Sequence, residues 1–255
     1  MEDSFAPGLR RMPPDIFEDF LSFADASRAS RVFEKLARHK MKAWALTGGL
    51  AIGIHLNRLG RQSSIRVLND LDFIAASFDC IPETLAHDFI FRHIHPSDPP
   101  GKLILQFIEP DSAVRIDVFR ADASVMNRTS PLYPLSGAIQ LVAVEDLLAR
   151  AARLALDLAE GVPTPAKHAR DFLCLAEVVS PRLVEIAWQD HRKSKHPVTF
   201  AQASSLLRDL IPAHSELLVA PRYSQDAAQV CLRCASTGAF RLADPNTVMA
   251  SLGYC

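Results

Sequence analysis

The spacing of apolar and polar positions changes character along this chain, from short mixed periods in its first part to helical spacing alone near its end. Over 16–40, Phe17, Phe20, Leu21, Phe23, Val32, Phe33 and Leu36 recur at near-helical intervals, which predicts helix with a break around Ala26 and Ser27. Residues 43–75 carry the pattern around which the rest is arranged. Trp44 and Leu46 lie in a short apolar run that stops at Thr47. Gly48 and Gly49 then allow a backbone turn, and Leu50, Ile52, Leu56 and Leu59 mark the apolar stripe of a helix closed by Gly60. A polar, basic loop over 61–66 leads into 67–75, which reads as a second strand.

Further on, Pro82 is placed to open a helix running through Leu85, Phe89 and Ile90, and the tract HPSDPPG after it reads as a loop. Residues 102–108 and 112–121 read as strands joined by a turn at Glu109, Pro110 and Asp111, an antiparallel hairpin. A short strand is expected over 138–142. Glu145 and Asp146 place acids in a first helical turn, and the stretches 147–160, 166–179, 183–192, 200–211 and 224–236 then show helical apolar spacing, punctuated by Gly, Pro and Ser. The expected fold class is α+β. A mixed β-sheet with flanking helices occupies 1–142, and an α-helical domain occupies 143–255.

Composition narrows the function classes. At 255 residues and 49% hydrophobic content the chain can fill a real core, and disorder is excluded as a global description. A net charge of −1 argues against indiscriminate polyanion binding. A local basic patch remains open to RNA, and HRKSKH at 191–196 is the best one, otherwise a solvated loop between helices. The opening MEDSFAPGLRRMPPD lacks the basic start and apolar run of a secretory signal, and no stretch has the length and apolarity of a bilayer span. The expectation is a cytoplasmic protein without membrane contact. Five scattered cysteines suit reduced thiols, and the lone CxxC of Cys231 and Cys234 reads as helical spacing.

The chemistry-bearing residues interrupt strands. Asp70 and Asp72 project from one strand face while Leu71 and Phe73 project from the other, so one face is fit for burial and the other carries paired charge. Adjacent carboxylates repel unless a cation sits between them, and hard oxygen ligands suit Mg²⁺ or Mn²⁺. The turn at Gly48 and Gly49 opens a helix, where free backbone N–H groups and the positive end of the dipole favour a phosphate. Together these indicate a metal-nucleotide site. Asp117 shares its strand face with Arg115 and Phe119, either as a third acid for the same site or as the partner of Arg115 on a solvated face. His55 reads as a packed side chain, and His93 and His95 as a pair lacking the third partner of a metal site.

With LTGG at 46–49, NDLDF at 69–73 and RIDVF at 115–119, the chain resembles the nucleotidyltransferase superfamily with the DNA polymerase β-like palm fold, over about residues 40–175. The helix and basic loop between the glycine turn and the paired acids look most like the AbiEii-type toxin family. The resemblance implies that Thr47, Gly48 and Gly49 embrace the triphosphate of an NTP, and that Asp70, Asp72 and Asp117 form the metal and catalytic centre. Arg61, Ser64 and Arg66 would donate to the outer phosphates. KHARDF at 167–172 resembles a helical-domain motif, with Lys167 on the nucleotide and Asp171 as a base or an orienter of the acceptor; the bland reading of Asp171 is an ion pair with Arg170. Arg150 and Arg153 stand where the family places a lysine. The implied reaction moves a nucleoside monophosphate to a hydroxyl of RNA, protein or a small molecule, in a toxin-like setting with an antitoxin-type partner. The alternative is a non-catalytic protein that keeps the fold to bind a nucleotide or a partner.

Overall fold

A strand buried at every position belongs in the interior of a sheet, and Trp44–Thr47 (β1) is buried at all four. In the computed structural model, which describes residues 15–39, 41, 43–61, 65–76, 82–97, 102–121, 123–132 and 139–220, β1 pairs antiparallel with β2 (Asp70–Ala75). On its other side it pairs parallel with β7 (Ile139–Leu141). β3 (Ile90–Ser97), β4 (Lys102–Glu109) and β5 (Val114–Arg120) form an antiparallel meander joined to β2 through a parallel β2–β5 ladder. With β6 (Ser130–Pro131) they complete a mixed seven-stranded sheet in the order β3-β4-β5-β2-β1-β7-β6. The expected mixed sheet with flanking helices is the fold observed.

The first helices are α1 (Asp15–Glu18), α2 (Phe23–Leu36) and α3 (Gly48–Arg58), followed by the short α4 (Ala123–Met126). The described residues that follow are mostly helical, through α5 (Val144–Ala155), α6 (Ala166–Ala176), α7 (Pro181–His191) and α8 (Phe200–Ala213). Among the described residues of this part, the two-residue strands β8 (Thr164–Pro165) and β9 (Leu218–Val219) pair in parallel with each other. Among the described residues no helix is long and apolar enough to cross a membrane. A file of aromatic rings joins helices to sheet: Phe17 stacks on Phe33 of α2 at 5.5 Å, Phe33 meets Phe73 of β2 at 6.1 Å, and Trp44 of β1 lies between Phe73 and Phe107. The buried faces of Leu71 and Phe73 are thereby anchored, which turns Asp70 and Asp72 to the opposite side.

Several expected boundaries move for identifiable reasons. The break in the first helical stretch falls at 19–22, because Ser22 accepts the Asp25 N–H at 3.2 Å and caps α2, while Ala26 continues as buried core. The helix expected from Pro82 to Ile90 is only a 3-10 turn, Glu83–His87, and Ile90 opens β3. That strand continues through His95, Pro96 and Ser97, which were expected in a loop. The ladder to β4 decides the matter, and an edge strand tolerates a proline that an inner strand would not. The strand expected from residue 67 begins at Asp70, with Val67 72% exposed, and Leu59 is 49% exposed beyond the end of α3. His55 donates from Nε2 to the Val142 carbonyl at 2.8 Å, the packed role expected of it. The stretch 224–236 and Cys80, Cys231, Cys234 and Cys255 lie outside the described residues, while Cys174 is a half-buried free thiol.

α5 is tied down by charge as well as by its apolar stripe. Asp146, 1% exposed, accepts from Arg128 Nε and Nη2 at 2.8 and 2.7 Å and from His191 Nε2 at 2.9 Å. Burial alone would push its carboxyl up, but the Arg128 and His191 hydrogen bonds more than offset that and hold it below the usual carboxylate range. This stabilisation is present above the ordinary carboxylate pKa and is lost as pH falls through the depressed one. Arg128→Ala, which leaves the buried carboxylate the His191 hydrogen bond, is expected to cost about 3 kcal/mol in urea unfolding at pH 7 and less toward pH 3, where the proton takes over from the cation.

Candidate metal and nucleotide site

Strand pairing gathers the acids. The in-register parallel ladder of β2 and β5 sets Asp72 beside Asp117 and Asp70 beside Arg115, and the β1–β2 ladder sets Thr47 beside Asp72. One carboxylate oxygen from each of Asp70, Asp72 and Asp117 lies within 4.8 Å of the others. Asp70 and Asp72 line a cleft of about 480 Å³, together with Gly48, Gly49, Arg66, Phe119, Arg150 and Lys167. Asp117 sits behind them, 6% exposed, with Oδ1 accepting from Gln106 Nε2 at 2.7 Å.

The glycine turn fits these acids closely. Gly48 has φ +69°, and a Cβ there would overlap the Asp72 carboxylate and lie 2.8 Å from its Cγ. The cradle that holds Asp72 therefore exists only for glycine. α3 starts here with no side-chain cap from Thr47 and no acid in its first turn, and Gly48, Gly49 and Leu50 line the cleft at that end. Gly49 has the Arg66 guanidinium beside it, with Nη1 3.4 Å from where a Cβ would stand. Arg66 is held at both ends, by its backbone N–H on the Phe20 carbonyl at 2.8 Å and by Nη2 on Asp171 Oδ1 at 2.7 Å.

The charges in the cleft are unequal. Burial pushes the Asp72 carboxyl up to about 7, and the Asp70 charge adds to the push; Arg150 and Lys167 pull it down, and Asp117 pushes again. Arg150 lies over the Phe119 ring at 5.7 Å from the centroid. Burial, with Lys167 beside it, lowers His168 to about 4, so the imidazole on this wall is neutral near pH 7. Arg115 hydrogen-bonds Asp70 and brings Nε to 3.3 Å from Asp117 Oδ2, so the ion pair weighed as the alternative for Asp117 is present within the acidic cluster.

Of the residues singled out in the sequence, Gly48, Gly49, Arg66, Asp70, Asp72, Lys167 and Asp171 meet at the cleft, with Thr47 and Asp117 just behind. Arg61 does not; it pairs with Glu177 at the end of α6, away from the cleft lining. Ser64 lies outside the described residues. Asp171 pairs with Arg66 and not with Arg170, because adjacent helical residues point in different directions. Arg153 stays off the lining, its Nε buried and without a hydrogen-bond partner. Gln106 was not singled out, although it faces Asp117 across the β4–β5 hairpin, and that hairpin was expected.

A second acidic group, Asp157, Glu160 and His196, also converges within 4.8 Å. Its carboxylates are held by Lys193 and Lys195, and His196 Nδ1 accepts the Lys193 N–H, which leaves the ring proton on Nε2. This is an ion-pair cluster; the basic stretch 191–196 is largely spent on it and on Asp146.

A divalent ion fits the first group by its donor set: three carboxylates, one of which is pushed up to about 7 by burial and by the neighbouring Asp70 charge.

No family model and no curated protein matches the chain. Two solved structures from Helicobacter pylori match the chain distantly. One, described as a candidate nucleotidyltransferase, has a TM-score of 0.30 and 13% identity over 76% of this chain and 94% of its own. The other, JHP933, has a TM-score of 0.29 and 13% identity over 77% and 97%. Likeness this distant carries no argument about chemistry, which rests on the geometry of the cleft.

Two outcomes follow from that geometry. Because the folded chain keeps a proton on Asp72 up to about pH 7 while the unfolded chain releases it near the ordinary value of 3.8, this group costs stability increasingly as pH rises between the two. Asp72→Asn is expected to raise the melting temperature of the metal-free protein at pH 8, with the advantage shrinking toward pH 4, and Mg²⁺ should stabilise the parent but not the variant. Gly48→Ala should lower stability by about 1–3 kcal/mol from the forced backbone alone and weaken Mg²⁺ stabilisation by displacing Asp72.

Proposed function

We propose that this chain is a divalent-metal-dependent nucleotidyltransferase that moves a nucleoside monophosphate from an NTP to an acceptor hydroxyl. The observation that carries the reading is the convergence of Asp70, Asp72 and Asp117 beside a glycine turn that only glycine can make, in a cleft whose far wall is cationic. Mg²⁺ or Mn²⁺ held by the three acids would neutralise charge on the phosphate oxygens as pyrophosphate departs. The backbone amides of Gly48 and Gly49 and the Arg66 guanidinium take the triphosphate, with Lys167 and Arg150 facing it from α6 and α5. Asp171 acts through Arg66: it fixes the guanidinium over the turn, and its engaged oxygen makes it a positioning residue here in place of a free base.

The finer reading, an AbiEii-type toxin working in the cytoplasm under an antitoxin-type partner, draws on the order of the motifs and on no contact in the structure. The acceptor's class, RNA, protein or a small molecule, stays open within it.

One observation favours the second reading, a nucleotide-binding protein without catalysis: Arg115 already compensates two of the three acids. Incubation with labelled NTPs and Mg²⁺ separates the two. Catalysis predicts slow self-labelling or pyrophosphate release that Asp70→Ala or Asp72→Ala abolishes. Arg66→Ala and Asp171→Asn are expected to raise the KM for NTP by about 10–100-fold, the effect of losing a charge-assisted contact worth ~1.4–2.8 kcal/mol. Nucleotide binding without turnover selects the second reading, and no nucleotide binding with any divalent ion ends both.

A further inference from the structure

Arg115 is drawn from the same sheet face as the three acids, and its position is set by register. The β2–β5 ladder puts it opposite Asp70, and alternation along β5 puts it on the face of Asp117 two residues on. Its guanidinium bonds Asp70 Oδ2, and its Nε lies 3.3 Å from Asp117 Oδ2. The Asp117 contact is electrostatic and poorly aligned: Nε is buried and makes no hydrogen bond. Asp117 is held independently, since Oδ1 takes the Gln106 amide at 2.7 Å, so the carboxylate keeps its place whether or not the guanidinium is there. The two oxygens that Arg115 occupies therefore belong to carboxylates that the metal reading also needs.

Resting on that reading, we propose that Arg115 is the resident counterion of the acidic cluster and competes with the divalent cation for Asp70 and Asp117. The guanidinium lowers the repulsion among three close carboxylates when no metal is bound, and it must leave for a metal to take all three. Its departure is costly in a half-buried site unless another anion receives it, and a triphosphate in the adjoining cleft supplies one. Metal alone binds weakly as a result, and metal and nucleotide enter as partners. Arg115 is thus a gate on metal occupancy that is built into the strand carrying the third acid.

Mn²⁺ titration of the full chain at pH 8, with free Mn²⁺ read by electron paramagnetic resonance, tests this. Arg115→Gln is expected to bind Mn²⁺ about tenfold more tightly than the parent in the absence of nucleotide, and Asp72→Asn to lose binding. Equal or weaker binding by Arg115→Gln, with Asp72→Asn still inactive in binding, overturns the competition and leaves the metal site standing. Absence of Mn²⁺ binding by the parent and by Arg115→Gln alike removes both. If Arg115→Gln does not fold, the parent decides: the Arg115 Nε–H resonance, assigned through Arg115→Lys, should shift or broaden as Mg²⁺ is added. A resonance unmoved while the Asp72 carboxyl responds to Mg²⁺ overturns the proposal.

Discussion

Three carboxylates within 4.8 Å cannot all be ionised in a half-buried site without compensation, and this constraint organises the molecule. The structure meets it in two ways at once. Asp72 keeps its proton up to about pH 7, and Arg115 lends its charge to Asp70 and Asp117. Neither device is what a merely structural acid on a sheet would need, because a solvated carboxylate at a sheet surface compensates itself with water. The acids are instead carried inward by buried partners on the same strands: Leu71 and Phe73 on β2, Ile116 and Val118 on β5. The apolar face supplies the stability that lets the other face hold repelling charge.

The cationic wall completes the balance from a different part of the chain. Arg150 comes from α5 and Lys167 and Asp171 from α6, and α5 is itself pinned by the buried Asp146 between Arg128 and His191. A network remote from the cleft thus determines where Arg150 sits over Phe119. Arg66 links the two walls. Its backbone is tied to the chain ahead of α2, its head to α6, and between them it passes over Gly49. The cleft is closed by an ion pair across 105 residues of sequence, so its width depends on long-range packing and not on the loop alone.

What could be read from the sequence follows the range of the interaction. That Asp70 and Asp72 share a face needs only alternation along one strand, and that Gly48 makes a turn needs only its lack of a Cβ; both were legible. That Asp117 joins them needs the pairing of β2 with β5, strands separated by two others in sequence, and alternation gives a face without a neighbour. Asp171 was legible as a helical acid, but its partner Arg66 was not, because no local periodicity connects them. Arg61 fell the other way: a charge in a loop has no period to aim it, and it turned to Glu177. Residues 95–97 read as loop on composition and became strand because β4 offered a ladder, a tertiary override of local preference.

The pairing of Arg115 with the acids answers a demand that precedes any ligand. The folded chain must be stable before any ion reaches the acids. A site built of like charges therefore needs an internal substitute for its ligand, strong enough to hold the strands together and weak enough to yield. A lysine would serve poorly, since a compact, strongly hydrated ammonium pays more to stay among half-buried carboxylates, while the planar guanidinium can span Asp70 and Asp117 with different nitrogens. On the proposed competition, the misaligned Nε would make that substitution reversible, since full hydrogen bonding to both acids would hold the cluster as a permanent salt bridge.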